Sequence, residues 1–293
     1  CKELQFAGKR VIERQKKASD IIINLPPGTT KTTILISFCA WLIANDPSIA
    51  ILWGSYSYDL SKDKAEKIKN IISSEKYQKY FPAVKIKQGS DSKQHYEFTA
   101  LGEVAITSPD SMATGKHFDL ICIDDGQNPK KADSRTERQN VKKWVDETLS
   151  TRKRKKEVTL TVYIQQRLRT DDLTEHLLSK DKEFKHICLP AEYNENTIKP
   201  ELARKLYKHG LLDPNRLSPA NLKELTIDLG AVSYQAQVNQ NPADKSNSII
   251  QEDWLPIISF ADWQRIIEDK TLKINFYIDG AYTDVTSRDP SAI

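Results

Sequence analysis

Ile21-Ile22-Ile23-Asn24-Leu25, then Pro26-Pro27-Gly28-Thr29-Thr30-Lys31-Thr32, then Thr33-Ile34-Leu35-Ile36-Ser37-Phe38 follow one another near the start of the chain. The first stretch reads as a strand, the second as a tight loop, the third as the opening of a helix. That is the layout of a phosphate-binding loop. Backbone N–H groups at a helix N-terminus cradle phosphate, a lysine there reaches the terminal phosphates, and a neighbouring hydroxyl holds Mg²⁺. Lys31 and Thr32 stand at those two positions, and Pro27, Gly28, Thr29, Thr30 and Thr33 complete the candidate cradle. The usual pattern is G-x-x-x-x-G-K-[ST]. Here Leu25 replaces the first glycine and Thr30 the second, so only Gly28 remains. A β-branched threonine is costly where the backbone must take φ > 0 or approach a phosphate closely. Alone, the stretch also fits an ordinary strand-to-helix turn with an exposed lysine.

Outward from this loop, apolar runs of strand length alternate with longer amphipathic stretches. Strands are predicted at 21–25, 50–55, 104–108, 120–123, 160–164 and 186–189, and helices at 32–44, 60–73, 135–148 and 173–178. Such alternation predicts an α/β fold with a mostly parallel sheet covered on both faces. Tyr96–Phe98 and Val104–Ile106 flank a segment with Gly102 and read as a hairpin. A proline-bearing region from Tyr193 to Pro242 reads as a linker or subdomain with short helices such as Pro219–Leu229. A last strand, Ile274–Ile278, ends in Asp279.

The second informative stretch is Phe118-Asp119-Leu120-Ile121-Cys122-Ile123-Asp124-Asp125. An apolar strand ending in two carboxylates is what a phosphate-loop ATPase sets beside its loop: the first acid orients Mg²⁺ and the second polarises the attacking water. Asp124 then serves the metal and Asp125 is the base. The bland alternative is a buried strand capped by two solvated aspartates. The 93-residue separation from Lys31, filled by the right alternation of elements, favours the paired reading.

The 293 residues suffice for one large α/β domain and part of another. The chain opens on Cys1 and holds one methionine, so it reads as an excerpt. A net charge of +4 permits contact with nucleic acid without demanding it. None of the four cysteines forms a C-x-x-C pair, and Cys39 and Cys122 lie in apolar stretches, which points to a reduced setting. No apolar run approaches the ~18 residues of a membrane span, and no secretory signal is visible. The basic run Arg152-Lys153-Arg154-Lys155-Lys156 suits DNA phosphates or a solvated loop; without interleaved aromatics it does not suggest base stacking. Trp41 and Trp144 read as core residues.

Several of these stretches together resemble the large terminase subunit, the DNA-packaging ATPase and nuclease of tailed double-stranded DNA phages and prophages. The loop resembles that family's phosphate loop. Leu52–Leu60 (LWGSYSYDL) is similar to its strand and turn after the first helix, Thr114–Asp119 with LICIDD to its approach to the metal acids, and Trp144–Arg152 to its following helix. Gln166–Leu173 resembles its coupling segment and Leu189–Glu192 the close of its ATPase core. Leu217–Pro219, Tyr234–Gln237 and Gln240–Pro242 resemble its link to the nuclease. The similarity runs over nearly all of residues 21–293.

The resemblance implies a P-loop, RecA/ASCE-like ATPase domain over 1–195, a linker or subdomain over 196–245, and the start of an RNase H-like nuclease domain over 246–293. It implies Lys31 on the β- and γ-phosphates of ATP, Thr32 and Asp124 on Mg²⁺, Asp125 as base, and Gln166 (or Gln165) sensing the γ-phosphate. A trans-acting arginine is expected; Lys116 stands where related sequences often carry it, and Arg135, Arg138 and Arg152 are the other candidates. Asp279 and Asp289 are the implied nuclease acids for paired Mg²⁺ or Mn²⁺ ions. Implied partners are double-stranded DNA, a portal protein, a small terminase subunit and further copies in a ring. The setting is the host cytoplasm at the portal of the capsid precursor, without membrane or secretion. Two other readings stand beside this one: another P-loop ATPase such as a helicase, and a catalytically weakened DNA- or portal-binding scaffold, which the Leu25 and Thr30 departures motivate.

Overall fold

The computed structural model describes residues 2–111, 115–243 and 264–265. The chain divides into two compact units, Cys1–Asp244 and Lys245–Ile293, and every element described below belongs to the first. The strand expected at 274–278, with Asp279 and Asp289, lies outside the described residues.

Eight strands form one sheet: β1 (Asp20–Asn24), β2 (Ala50–Gly54), β3 (Ile86–Asp91), β4 (His95–Phe98), β5 (Glu103–Thr107), β6 (Leu120–Asp124), β7 (Leu160–Gln165) and β8 (Phe184–Cys188). Their order is β3-β4-β5-β2-β6-β7-β1-β8. All pairings from β5 to β8 are parallel, and β3 and β4 add an antiparallel edge. The expected α/β class and mostly parallel sheet are therefore observed. β1, β2, β5, β6 and β7 are buried at every position, which is why they read as unbroken apolar runs. The strand β7 separates β1, which leads into the loop, from β6, which carries the two acids.

Helices cover both faces. On one side, α1 (Lys2–Ile12), α2 (Lys31–Asn45), α3 (Tyr58–Ser73) and α4 (Glu75–Tyr80) bury Val11, Leu35, Leu42, Ile68 and their neighbours against Ile21, Ile23, Cys122 and Ile164. On the other, α5 (Arg135–Lys143), a π turn at Trp144–Thr148 and α6 (Leu173–Leu178) pack Val141, Trp144 and Leu177 on Ile22, Ile121 and Tyr163. Side chains alternate across a strand, so each run feeds both layers. Ser57, Ser134 and Asp172 each accept a backbone N–H at the start of α3, α5 and α6, the usual helix-start chemistry.

Three elements differ from the sequence expectation or were not expected. α1 buries Leu4, Gly8 and Val11 along one face, and its Gly8 lets it lie close to Phe38 and Trp41. β3 is a polar edge strand without apolar alternation. α7 (Pro219–Gln237) runs past the expected Leu229, through a kink at Gly230 with φ 72°. With Ala191, Leu217 and Val238, its Leu222 and Tyr234 form a third apolar cluster. No described helix is long and apolar enough to cross a membrane.

Candidate nucleotide site

The loop between β1 and α2 sits at the C-terminal edge of the parallel strands. Leu25 belongs to the apolar core, and its N–H bonds to the Gln165 carbonyl at 3.2 Å. Its φ is not positive, so nothing there requires glycine. Gly28 has φ 78° with open space around it, a conformation in which glycine is at ease. Thr30 has φ 57° and ψ 23°, left-handed backbone held by a β-branched residue. It precedes α2 without capping it: its hydroxyl donates back to the Thr29 carbonyl at 2.7 Å. Thr29 closes the turn by donating to the Pro26 carbonyl at 2.7 Å. Thr30 and the exposed Gly28 and Thr33 face solvent, and Pro27 is half-buried. The first amides of α2 are thus left for an anion.

Lys31 and Thr32 meet the two acids. The buried Lys31 ammonium lies 2.9 Å from Asp125 Oδ1. The Thr32 hydroxyl lies 2.8 and 3.0 Å from the two oxygens of Asp124. Asp124 is buried, and burial, followed by the like charge of Asp125, pushes its carboxyl up to about 6, against the pull of Thr32, Lys31 and Lys64. Asp125 itself has φ 46°. Its N–H bonds to the Ile164 carbonyl and its carbonyl accepts the Tyr56 N–H, so two neighbouring segments hold this uncommon backbone. A hydroxyl and a carboxylate converging from a helix start and a strand end are hard oxygen donors, the set that suits Mg²⁺. A divalent ion there would favour the Asp124 carboxylate and so oppose the burial that raises it.

The two glutamines part company at the end of β7. Gln165 shares a face with Tyr163, and its amide donates to the Thr174 hydroxyl at 2.7 Å. Asn24 joins the same buried group through Thr174 at 2.9 Å and His186 at 2.7 Å. Gln166 lies one residue beyond the strand; its Oε1 and that of Gln165 are both buried without a partner among the described residues. An apolar hollow of about 330 Å³ next to the loop, lined by Leu4, Gln5, Thr33, Ile34, Phe38 and Trp41, opens between α1 and α2.

The other candidate cations lie elsewhere. Lys116 reaches Glu103 at 2.7 Å, His95 at 3.0 Å and Glu97 at 3.2 Å. Glu103 starts β5, so this group occupies the sheet end opposite the loop. His95, Glu97 and Glu103 are close enough to share a metal ion, but the Lys116 ammonium already stands among them. Arg138 is buried and clamped by Asp171 at 2.8 Å and the Ala132 carbonyl at 2.7 Å. Arg135 is exposed at the start of α5, and Arg152 is half-buried. The basic run divides: Lys153 binds buried Asp20, Arg154 binds buried Asp119, and Lys155 and Lys156 remain exposed without an ion pair among the described residues.

One cation escaped the sequence reading. Arg216 Nη1 lies 3.2 Å from the Thr30 hydroxyl, from 186 residues away in the chain. No motif signals it.

The fold is an α/β sheet architecture in which a strand-to-helix loop brings a lysine and a hydroxyl onto paired acids. No protein-family model and no curated protein matches the chain. Among solved structures, the large terminase of bacteriophage HK97 aligns with a TM-score of 0.48 at 14% identity, over 78% of this chain and 47% of that one. A point mutant of the Thermus phage P74-26 large terminase ATPase domain aligns with a TM-score of 0.49 at 12% identity, over 80% and 93%. Another structure of that ATPase domain aligns with 0.43 at 11% identity, over 78% and 90%. The chain thus spans about half the length of the HK97 protein.

Proposed function

We propose that this chain hydrolyses ATP at the Lys31–Thr32–Asp124–Asp125 site to drive double-stranded DNA into a viral capsid, as part of a large terminase subunit. One observation carries the ATPase reading: two side chains at the start of α2 meet two adjacent acids at the end of β6, Lys31 on Asp125 and Thr32 on Asp124. The packaging role rests on the ordered series of sequence stretches that resemble large terminases.

Lys31 leaves Asp125 for the β- and γ-phosphates when nucleotide enters, and the freed Asp125 carboxylate accepts a proton from the attacking water. Thr32 and Asp124 would hold Mg²⁺, which would supply positive charge against the phosphate oxygens. Gln166, whose Oε1, like that of Gln165, has no partner among the described residues, would read the γ-phosphate. The residues from 246 onward begin an RNase H-like nuclease that cuts the DNA concatemer, with Asp279 and Asp289 among its acids for Mg²⁺ or Mn²⁺. The partners are a portal protein, a small terminase subunit and other copies in a ring, in the host cytoplasm.

Phosphate release by the protein tests the motor. Turnover that needs Mg²⁺ and falls at least ~100-fold in Lys31→Ala supports it; a parent no faster than this variant sinks it. Mn²⁺-dependent plasmid cleavage should vanish in Asp279→Ala, and persistent cleavage removes Asp279 from the nuclease. The second reading, a scaffold of the same fold that does not turn over ATP, is favoured only by the left-handed Thr30.

A further inference from the structure

Arg216 is the one cation from the 196–243 region that hydrogen-bonds the phosphate loop among the described residues. Its backbone is fixed from both sides. Asp213 Oδ1 accepts the N–H groups of Asn215 and Arg216 at 3.2 Å each, and the Asp213 carbonyl accepts the Leu217 N–H at 2.7 Å. Asn221 Nδ2, on the first turn of α7, donates to the Arg216 carbonyl at 3.0 Å. Leu217 next door is buried in the α7 cluster. The turn is therefore rigid while the side chain is free to swing: the guanidinium is about half exposed, and its nearest acid, Asp213, stands 3.8 Å away. Its partner, the Thr30 hydroxyl, is a neutral acceptor at the mouth of the cradle. A guanidinium gains far more from a phosphate oxygen than from a hydroxyl, because the bond is charge-assisted and can be two-pronged. The same region also touches the far side of the site: the Arg167 N–H, just after the glutamines, donates to Gln240 Oε1 at 2.9 Å.

We propose that Arg216 is a phosphate ligand acting within its own chain. It waits on Thr30 and turns onto the terminal phosphate of bound ATP, so the nucleotide state is felt by the turn and by α7. The inference rests on the nucleotide-site reading and adds a cation to it. In this chain the hydroxyl of Thr30, in the place of a glycine, provides the resting contact.

The test compares ATP and ADP affinities of the full chain, using fluorescent analogues of each with Mg²⁺. Arg216→Ala should weaken ATP by about 10- to 100-fold and ADP much less, with Arg216→Lys recovering part of the loss. A side chain that only supports the loop would lower both affinities alike. An ATP-to-ADP ratio equal to that of the parent in Arg216→Ala overturns this inference while leaving the site reading intact. A parent that binds neither nucleotide overturns both.

Discussion

Thr30 holds the backbone shape that the loop needs from a residue that disfavours it. A left-handed non-glycine residue costs about 1–2 kcal/mol, and glycine at this point would lose roughly 0.5–1 kcal/mol through its freer unfolded chain. Thr30→Gly should therefore shift stability by no more than about 1.5 kcal/mol, read as the denaturant midpoint, and leave ATP turnover equal or faster. Slower turnover would show that the threonine hydroxyl is needed. The replacement of glycine was legible in the sequence, but whether the loop had changed shape was not. At Leu25 the departure is harmless, since φ is not positive there; at Thr30 the glycine-like shape persists. Lys31, Thr32, Asp124 and Asp125 were legible because loop and acid strand each carry a local pattern. Arg216 was not, because its contact joins residues 186 apart through the packing of the α7 region.

Buried charge at the base of the strands ties the elements together. Asp20 starts β1, is fully buried, and is met by Lys17 at 2.7 Å, Lys153 at 3.0 Å and Lys182. Burial would raise its carboxyl, but the three ammonium groups hold it well below the usual carboxylate range. A carboxylate lowered in the folded state adds stability that is present above its unfolded value, about 3.9. That stability is lost as pH falls through this value toward the folded one. Urea midpoints should therefore drop on the acid side of about pH 4, and this contribution should be missing in Asp20→Asn. At neutral pH the substitution should cost about 3–5 kcal/mol, because three ammonium groups lose their counter-charge; a cost under about 1 kcal/mol would contradict the account. Trp144 does similar work in the other layer: it is buried, and its indole N–H donates to the Thr107 hydroxyl at 3.4 Å. Trp144→Ala should cost about 3–5 kcal/mol by the same measurement. The core strands were legible because burial on both faces leaves them uniformly apolar. β3 was not, since a polar edge leaves no period to read; α1 was legible, with Leu4, Gly8 and Val11 on one helical face.

At the scale of the whole molecule, the candidate nucleotide site and the basic run lie at opposite ends of the strands. Two of its five residues are structural, as Lys153 and Arg154 serve buried Asp20 and Asp119. The basic run read from the sequence therefore overstates the free charge, and Lys155 and Lys156 are what it leaves exposed without an ion pair among the described residues. If duplex DNA touches this end, Lys155→Glu with Lys156→Glu should flatten the plot of log affinity against log salt by about 2, the value for two phosphate contacts. An unchanged slope would place the DNA elsewhere. The central claim is that the acids at the end of β6 divide their labour, Asp124 for the metal and Asp125 for the water. Its most direct test is Asp125→Asn, followed by MgATP binding and phosphate release on the same sample. The account predicts binding within a few-fold of the parent and hydrolysis reduced at least ~100-fold. Hydrolysis at the parental rate in Asp125→Asn would contradict it.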